Sequence, residues 1–185
     1  MEYPSVRMSE APFPVEYAVL GLLAQGPKHG YELKRKIERE LRPIWRIATS
    51  RLYLALSRLE HSGLIQGEPQ ITNGRARRVY RLTPEGERKL WEWLRRPVPA
   101  LRDLRVEFLA KVYFLLKLDP HGIPPLIEAE IDALKNLARE IRRQEPPQED
   151  LSMWKCVRDF RLGQIEAALK WLSRTGKEFS REVRG

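Results

Sequence analysis

The sequence predicts a mainly α-helical chain: a small N-terminal domain of short helices with a β-hairpin, then a purely helical C-terminal part. Three observations predict it. Between Ile47 and Thr83 a helical leucine pattern gives way to two strand-like runs joined by Asn-Gly. Two short helical patterns precede this stretch. Beyond Pro99 every periodic segment has helical spacing. Three short helices followed by a two-stranded ribbon with a cationic tip make, in outline, a winged helix-turn-helix.

Residues 1 to 14 contain Pro4, Pro12 and Pro14, lack periodicity and read as a flexible arm. The first helix runs from Val15 to Gln25, with Val19, Leu22 and Leu23 as its buried stripe and Gly26-Pro27 as its stop. The second opens at Lys28-His29-Gly30 and continues to about Leu41, with Leu33, Ile37 and Leu41 inward and Lys34, Arg35, Lys36 and Arg39 on other faces. Ile44, Trp45 and Ile47 form an apolar connector. The third helix spans about Ser50 to Ser62, with Thr49 and Ser50 suited to its N-cap. Leu52, Leu56 and Leu59 form its buried line, and Gly63 supplies the left-handed stop. Leu64-Ile65 and Val79-Tyr80-Arg81-Leu82 are strands, with a turn at Thr72-Asn73-Gly74, because Asn-Gly accepts the positive φ that tight hairpins need. Thr83 caps a fourth helix with Pro84 in its first turn and Leu90, Trp91 and Leu94 on its apolar face. Arg95 to Pro99 reads as a linker, dividing a domain at 15–96 from one at 97–185.

In the C-terminal part, Leu104, Phe108, Leu109, Val112, Leu115 and Leu116 stripe a helix from about Asp103 to Lys117. A break follows at 119–125. Ile127, Ile131, Leu134, Ala138 and Ile141 then advance with heptad spacing. The last helix, from Asp150 to about Arg174, carries two apolar stripes. One is Met153, Val157, Phe160, Ala167 and Trp171; the other is Leu162, Ile165, Leu169 and Leu172. A surface helix of a monomer needs one apolar face. Two stripes predict a second subunit, and Met153, Val157, Phe160, Leu162, Ile165, Leu169 and Leu172 are the expected dimer-forming residues.

Composition narrows the partner. The chain of 185 residues has a formal charge of +9. Up to Ala100 there are 18 Lys/Arg against 11 Asp/Glu, a net of +7; from Leu101 the counts are 16 and 14, a net of +2. The excess base sits with the helix and ribbon, which suits a polyanion. One cysteine, Cys156, fits a reducing compartment. No apolar run is long enough to span a bilayer, and the N-terminus lacks the apolar core of a secretory signal, so a soluble cytoplasmic protein is expected. His29, His61 and His121 are widely separated, no metal-ligand spacing occurs, and neither a phosphate-cradling loop nor a hydrolase serine motif is present. No enzyme, metal or cofactor is expected.

The chemistry expected of the basic half is duplex recognition. The major groove admits an α-helix, and the N-terminal residues of such a helix reach base edges. Thr49, Ser50 and Arg51 are the base-reading candidates; Arg51 suits a guanine edge or a phosphate. Tyr53 offers a hydroxyl to phosphate, Leu54 suits either a thymine methyl or the domain interior, and Arg58 suits either a phosphate or a solvated face. On the wing, Arg75, Arg77 and Arg78 form a cluster without acids, expected on the backbone or minor groove. Lys34 and Lys28 add candidate phosphate contacts from the second helix.

These residues resemble the PadR family of transcriptional regulators. The resemblance is carried by Leu20-Gly21-Leu22-Leu23, by His29-Gly30-Tyr31-Glu32-Leu33, and by Leu52-Tyr53-x-x-Leu56-x-x-Leu59-Glu60-x-x-Gly63-Leu64-Ile65. It continues in Gly74-Arg75-x-Arg77-Arg78-x-Tyr80-Arg81-Leu82-Thr83-x-x-Gly86 and covers about Val15 to Leu94. The C-terminal part resembles the virulence-activator-like helical dimerisation domain of longer members. The resemblance implies a homodimer on an inverted-repeat operator, usually repressing, with Tyr53 on the DNA backbone and 49–51 in the groove. It also implies that some members bind a flat aromatic effector using tryptophan; Trp91, Trp93, Trp154 and Trp171 are available here, and tryptophans at helical spacing equally suit core or dimer packing. Two departures stand out: Arg51-Leu52 precede Tyr53 where the family often has Gly, and Val79 stands where an aromatic is common. The competing class is a protein-interaction adaptor that keeps the winged fold without operator binding; a neutral or acidic wing would mark it, and this wing is basic.

Overall fold

The computed structural model describes residues 15–72, 75–145 and 151–182. The chain forms two compact units that meet between Trp91 and Glu92. The division falls inside a helix, upstream of the linker expected at 95–99.

The first unit is built on α1 (Val15–Ala24), whose apolar run is buried almost all round rather than along one stripe: Val15, Ala18, Val19, Leu20, Leu22 and Leu23 are all enclosed. Gly26 ends the segment at φ 111°, a conformation that side chains disfavour. Lys28 and His29 do not open the second helix as expected. They form a short strand, β1 (Lys28–His29), and α2 (Gly30–Lys36) starts after it, with a π-helical last turn over Ile37–Leu41. The Glu32 carboxylate accepts the His29 N–H at 2.7 Å, which holds the chain at this strand-to-helix step. Leu33, Ile37 and Leu41 are buried, at the spacing predicted.

The third helix, α3 (Thr49–His61), buries Leu52, Ala55, Leu56 and Leu59. Its cap is Ala48 with no side-chain bond, so Thr49 and Ser50 are first-turn residues and not the expected N-cap. Its C-terminus closes through two backbone bonds, Gly63 N–H to Glu60 O (3.0 Å) and Leu64 N–H to Leu59 O (2.9 Å), with Gly63 at φ 69°. This is a Schellman stop. The wing is an antiparallel hairpin of β2 (Ile65–Thr72) and β3 (Arg75–Leu82), in register from Ile65 opposite Leu82 to Thr72 opposite Arg75. Asn73-Gly74, the expected turn, lies outside the described residues. The sheet has three strands rather than two, because β1 adds to the free edge of β3, Lys28 opposite Tyr80 and His29 opposite Val79.

Thr83 joins wing to helix. Its Oγ1 accepts the Gly86 N–H (3.1 Å) as the cap of α4 (Pro84–Arg95) and donates to the Gly63 carbonyl (2.8 Å). A Cβ on Gly86 would stand 2.0 Å from the Leu64 carbonyl oxygen, so only glycine allows this approach.

The second unit starts in the last turn of α4. A 3-10 turn at Leu101–Arg105 precedes α5 (Glu107–Leu118), which starts later than the helix expected from Asp103. The next helix, α6 (Ile123–Arg143), takes Pro124 and Pro125 into its first turn, where missing N–H groups cost nothing. The last helix, α7 (Leu151–Glu182), runs on past the expected end near Arg174. It lies antiparallel on α6: Gly176, near its end, meets Ile127 near the start of α6, where an added Cβ would stand 3.1 Å from Ile127 Cγ2. Among the described residues no helix is long and apolar enough to cross a membrane.

A charged cluster lies inside this unit. Lys111 and Glu130 are each 1% exposed. The Lys111 ammonium donates to the Arg96 carbonyl (2.8 Å), pairs with Glu107 (2.9 Å) and sits 5.1 Å from the centre of the Trp93 ring. Trp93 Nε1–H donates to the same Glu107 carboxylate at 2.8 Å. Glu130 Oε2 accepts the Val98 N–H at 2.8 Å, while its Oε1 has no hydrogen-bond partner among the described residues. The segment expected as a free linker is therefore held at Arg96 and Val98, and Val98 itself is buried. Burial pushes the Glu130 carboxyl above its ordinary 4.5, against the pull of the Val98 N–H and Lys111. Burial likewise lowers the Lys111 ammonium, against Glu107.

Because the folded chain holds the Glu130 proton more tightly than the unfolded one, this group favours the fold at low pH. Its contribution is lost as pH rises from 4.5 through the raised folded value. Glu130→Gln, which keeps an acceptor for Val98 and carries no charge, is expected to equal or exceed the parent in urea denaturation at pH 8. Lys111→Ala, which strands Glu107 and Glu130, is expected to lose about 3 to 5 kcal/mol. A strong loss for Glu130→Gln at pH 8 would contradict this account.

Candidate nucleic-acid interface

The face of α3 opposite its leucine line is open to solvent. Ser50, Leu54, Ser57 and His61 follow one another at helical spacing along it, and all are exposed. Ala48, Thr49, Ser50 and Arg51 are exposed as well, so the first-turn amides meet solvent without a capping side chain. Such amides and the helix dipole favour a negative group. Tyr53 lies on the flank towards α2, beside Gly30. Leu54 is 50% exposed, which removes the alternative that it packs inside the domain.

The other flank holds Arg51 and Arg58, seven residues and two turns apart. Arg58 is exposed and lies beside an acid of α1. Its guanidinium is 3.6 Å from the Glu16 carboxylate of α1, and it borders a shallow groove with Tyr17, Leu20, Leu64 and Lys89.

The wing arginines separate into different roles. Arg78 turns back: it pairs with Glu60 of α3 and donates to the Gly67 carbonyl at 3.0 Å. The Gly67 N–H donates to the same Glu60 oxygen at 3.2 Å. A Cβ at position 67 would stand 2.7 Å from Glu60 Oε1 and 3.0 Å from Tyr80 Cε1, so those side chains would have to shift. Arg78 thus ties the wing to α3 while its side chain stays half exposed. Arg77 lies over the ring of Tyr31, 4.9 Å from its centre, and Tyr31 stacks on His29 at 5.5 Å. His29 Nδ1–H in turn donates to the Arg78 carbonyl at 3.2 Å. The side chain of Arg75 lies outside the described residues. Burial pushes the Tyr80 phenol up from its ordinary value, against the pull of Arg78.

On α2, Lys34 remains partly exposed, 3.8 Å from Glu38. Lys28, the other lysine considered, is buried with its ammonium on the Gly26 carbonyl (2.8 Å), and burial lowers its pKa. It has no free charge to offer a phosphate. Residues the sequence reading missed are Tyr31, which carries Arg77, and Glu60, which fixes the wing. Both lie in motifs that the family resemblance singles out, but their partners are remote in sequence.

In the C-terminal unit the seven expected dimer-forming residues divide. Ile165 and Leu172 are buried within the chain and are withdrawn from that surface; Leu162 and Leu169 are half-buried. Met153, Val157 and Phe160 are exposed, joined by Leu151. The tryptophans suggested for an effector are engaged or part-enclosed: Trp93 with Glu107, Trp171 edge-on to Phe108 at 5.9 Å, Trp154 beneath Arg158 at 4.5 Å, and Trp91 half-buried. Among the described residues no group of three His, Cys, Asp or Glu side chains could hold a metal ion.

Comparison with known proteins assigns the chain. The sequence model of the transcriptional regulator PadR-like family matches residues 19–92. The negative transcriptional regulator PadR of Bacillus subtilis is 32% identical over 102 residues, covering 55% of this chain and 56% of that protein. The transcriptional regulator Rv3488 of Mycobacterium tuberculosis is 38% identical over 95 residues, covering 51% of this chain and 82% of that protein. The match therefore spans little more than half of the Bacillus protein's length. The crystal structure of Bacillus subtilis PadR in complex with operator DNA is similar at 23% identity and a TM-score of 0.47, over 90% of this chain and 99% of that one. The chain belongs to the PadR-like family of transcriptional regulators.

Proposed function

We propose that the chain is a repressor that binds an inverted-repeat operator as a homodimer, with α3 in the major groove and the wing along the neighbouring backbone. One observation carries the reading: an exposed, uncapped first turn of α3 with Ser50 and Arg51 upon it, on a helix fixed to an arginine-bearing hairpin through Glu60. Groove reading needs a helix that fits, and register needs cations on flanking phosphates. Ser50 and Arg51 address base edges, Tyr53 a phosphate, and Arg75 and Arg77 the backbone beside the groove. Lys34 adds a weaker phosphate contact. A small-molecule effector enters this reading from the family and not from a pocket of this chain.

The homodimer is supported by the first third of α7. At 1.5 Å per residue, 32 residues of α7 run about 48 Å and 21 residues of α6 about 32 Å. With Gly176 set on Ile127, the start of α7 overhangs α6 and leaves Leu151, Met153, Val157 and Phe160 in water. An apolar overhang of this kind is covered most simply by the same helix of a second copy.

Arg75→Ala with Arg77→Ala is expected to weaken binding to all duplexes and to reduce the slope of log affinity against log salt by about 1 to 2. Arg51→Ala is expected to relax sequence preference at one position of each half-site, a loss of about 1 to 3 kcal/mol of discrimination. Fluorescence anisotropy on duplexes selected from genomic fragments measures both, and an unchanged slope with unchanged preference would overturn the reading. Phe160→Asp with Val157→Asp is expected to convert a dimer into a monomer in analytical ultracentrifugation; a parent chain that already sediments as a monomer would refute the dimer.

A further inference from the structure

We propose that Leu54 reads the C5-methyl group of a thymine, and so fixes one T·A pair in each operator half-site. The inference rests on the reading of α3 as the groove-entering helix and adds to it a specificity-determining residue. Leu54 has no share in the core: the buried line of α3 is Leu52, Ala55, Leu56 and Leu59, and Leu54 is 50% exposed. It stands on the outward line of the helix, one turn after Ser50 and three residues before Ser57. Four residues give about 6 Å of rise, close to two base-pair steps, so Ser50 and Leu54 face pairs about two steps apart along the groove.

The chemistry of that face is selective. Ser50 and Ser57 are short and can donate to or accept from bases and phosphates. Leucine can do neither. Placed against a guanine, cytosine or adenine edge, it would strip water from a donor or acceptor and return no hydrogen bond. The thymine methyl is the one apolar group in the major groove, and burying it against the leucine removes apolar surface from water on both partners. An exposed leucine between two serines therefore favours T and disfavours the other bases at one position.

The test uses the full chain and a duplex that it selects from a random pool. Each thymine is replaced in turn by deoxyuridine, which removes the methyl and leaves pairing unchanged. One replacement per half-site is expected to weaken the parent about threefold to tenfold. The same replacement is expected to leave Leu54→Ala and Leu54→Ser unaffected, while both variants keep the parent's salt slope. If every deoxyuridine duplex binds the parent as the thymine duplex does, or if the penalty is equally large in the Leu54 variants, the inference is overturned while operator binding stands. A chain that selects no duplex overturns the reading beneath it as well.

Discussion

The Glu60 carboxylate joins the two surfaces that a duplex would have to meet together. It sits in the last turns of α3, accepts the Gly67 N–H of β2 and pairs with Arg78 of β3. Two donors, one from each strand of the hairpin, share one oxygen of α3. Exposed ion pairs contribute little by themselves. Here the bond gains from geometry, because the backbone amide and the guanidinium are already held by the sheet register. It adds a direct tie between α3 and the hairpin to those made through β1 and Thr83.

The same economy explains why β1 exists. Two residues are too few to form a strand alone, yet β3 leaves an unpaired edge that Lys28 and His29 can fill. The pairing brings His29 beneath the Arg78 carbonyl and Tyr31 beneath Arg77. The start of α2, the wing and the end of α3 are thereby one connected body, and its open side carries Ser50, Leu54, Ser57 and the first turn of α3. Recognition, as proposed, depends on that rigidity, since residues that must meet base edges together lose less freedom when already aligned.

Much of the fold was legible because burial is periodic. Leu33, Ile37 and Leu41, and Leu52, Leu56 and Leu59, repeat at helical spacing and are buried. Gly63 announces a left-handed stop, and the Schellman bonds are there. What was not legible depends on partners far along the chain. Arg78 and Glu60 are 18 residues apart, and nothing local distinguishes Arg78 from a solvated wing cation. Arg58 meets Glu16 on another helix. The two stripes of α7 were visible, but which one α6 covers was not, so Ile165 and Leu172 were grouped with residues that remain in water. The buried Lys111 and Glu130 could not be told from a solvated helix face, because single charged residues on α5 and α6 carry no mark of their depth.

Hydroxyl-radical footprinting of a selected duplex by the full chain tests the central proposal most directly. The account predicts two protected blocks related by a two-fold axis, with centres one helical turn apart, about 10 base pairs, or a multiple of it. A single protected block, or none at low ionic strength, would contradict it.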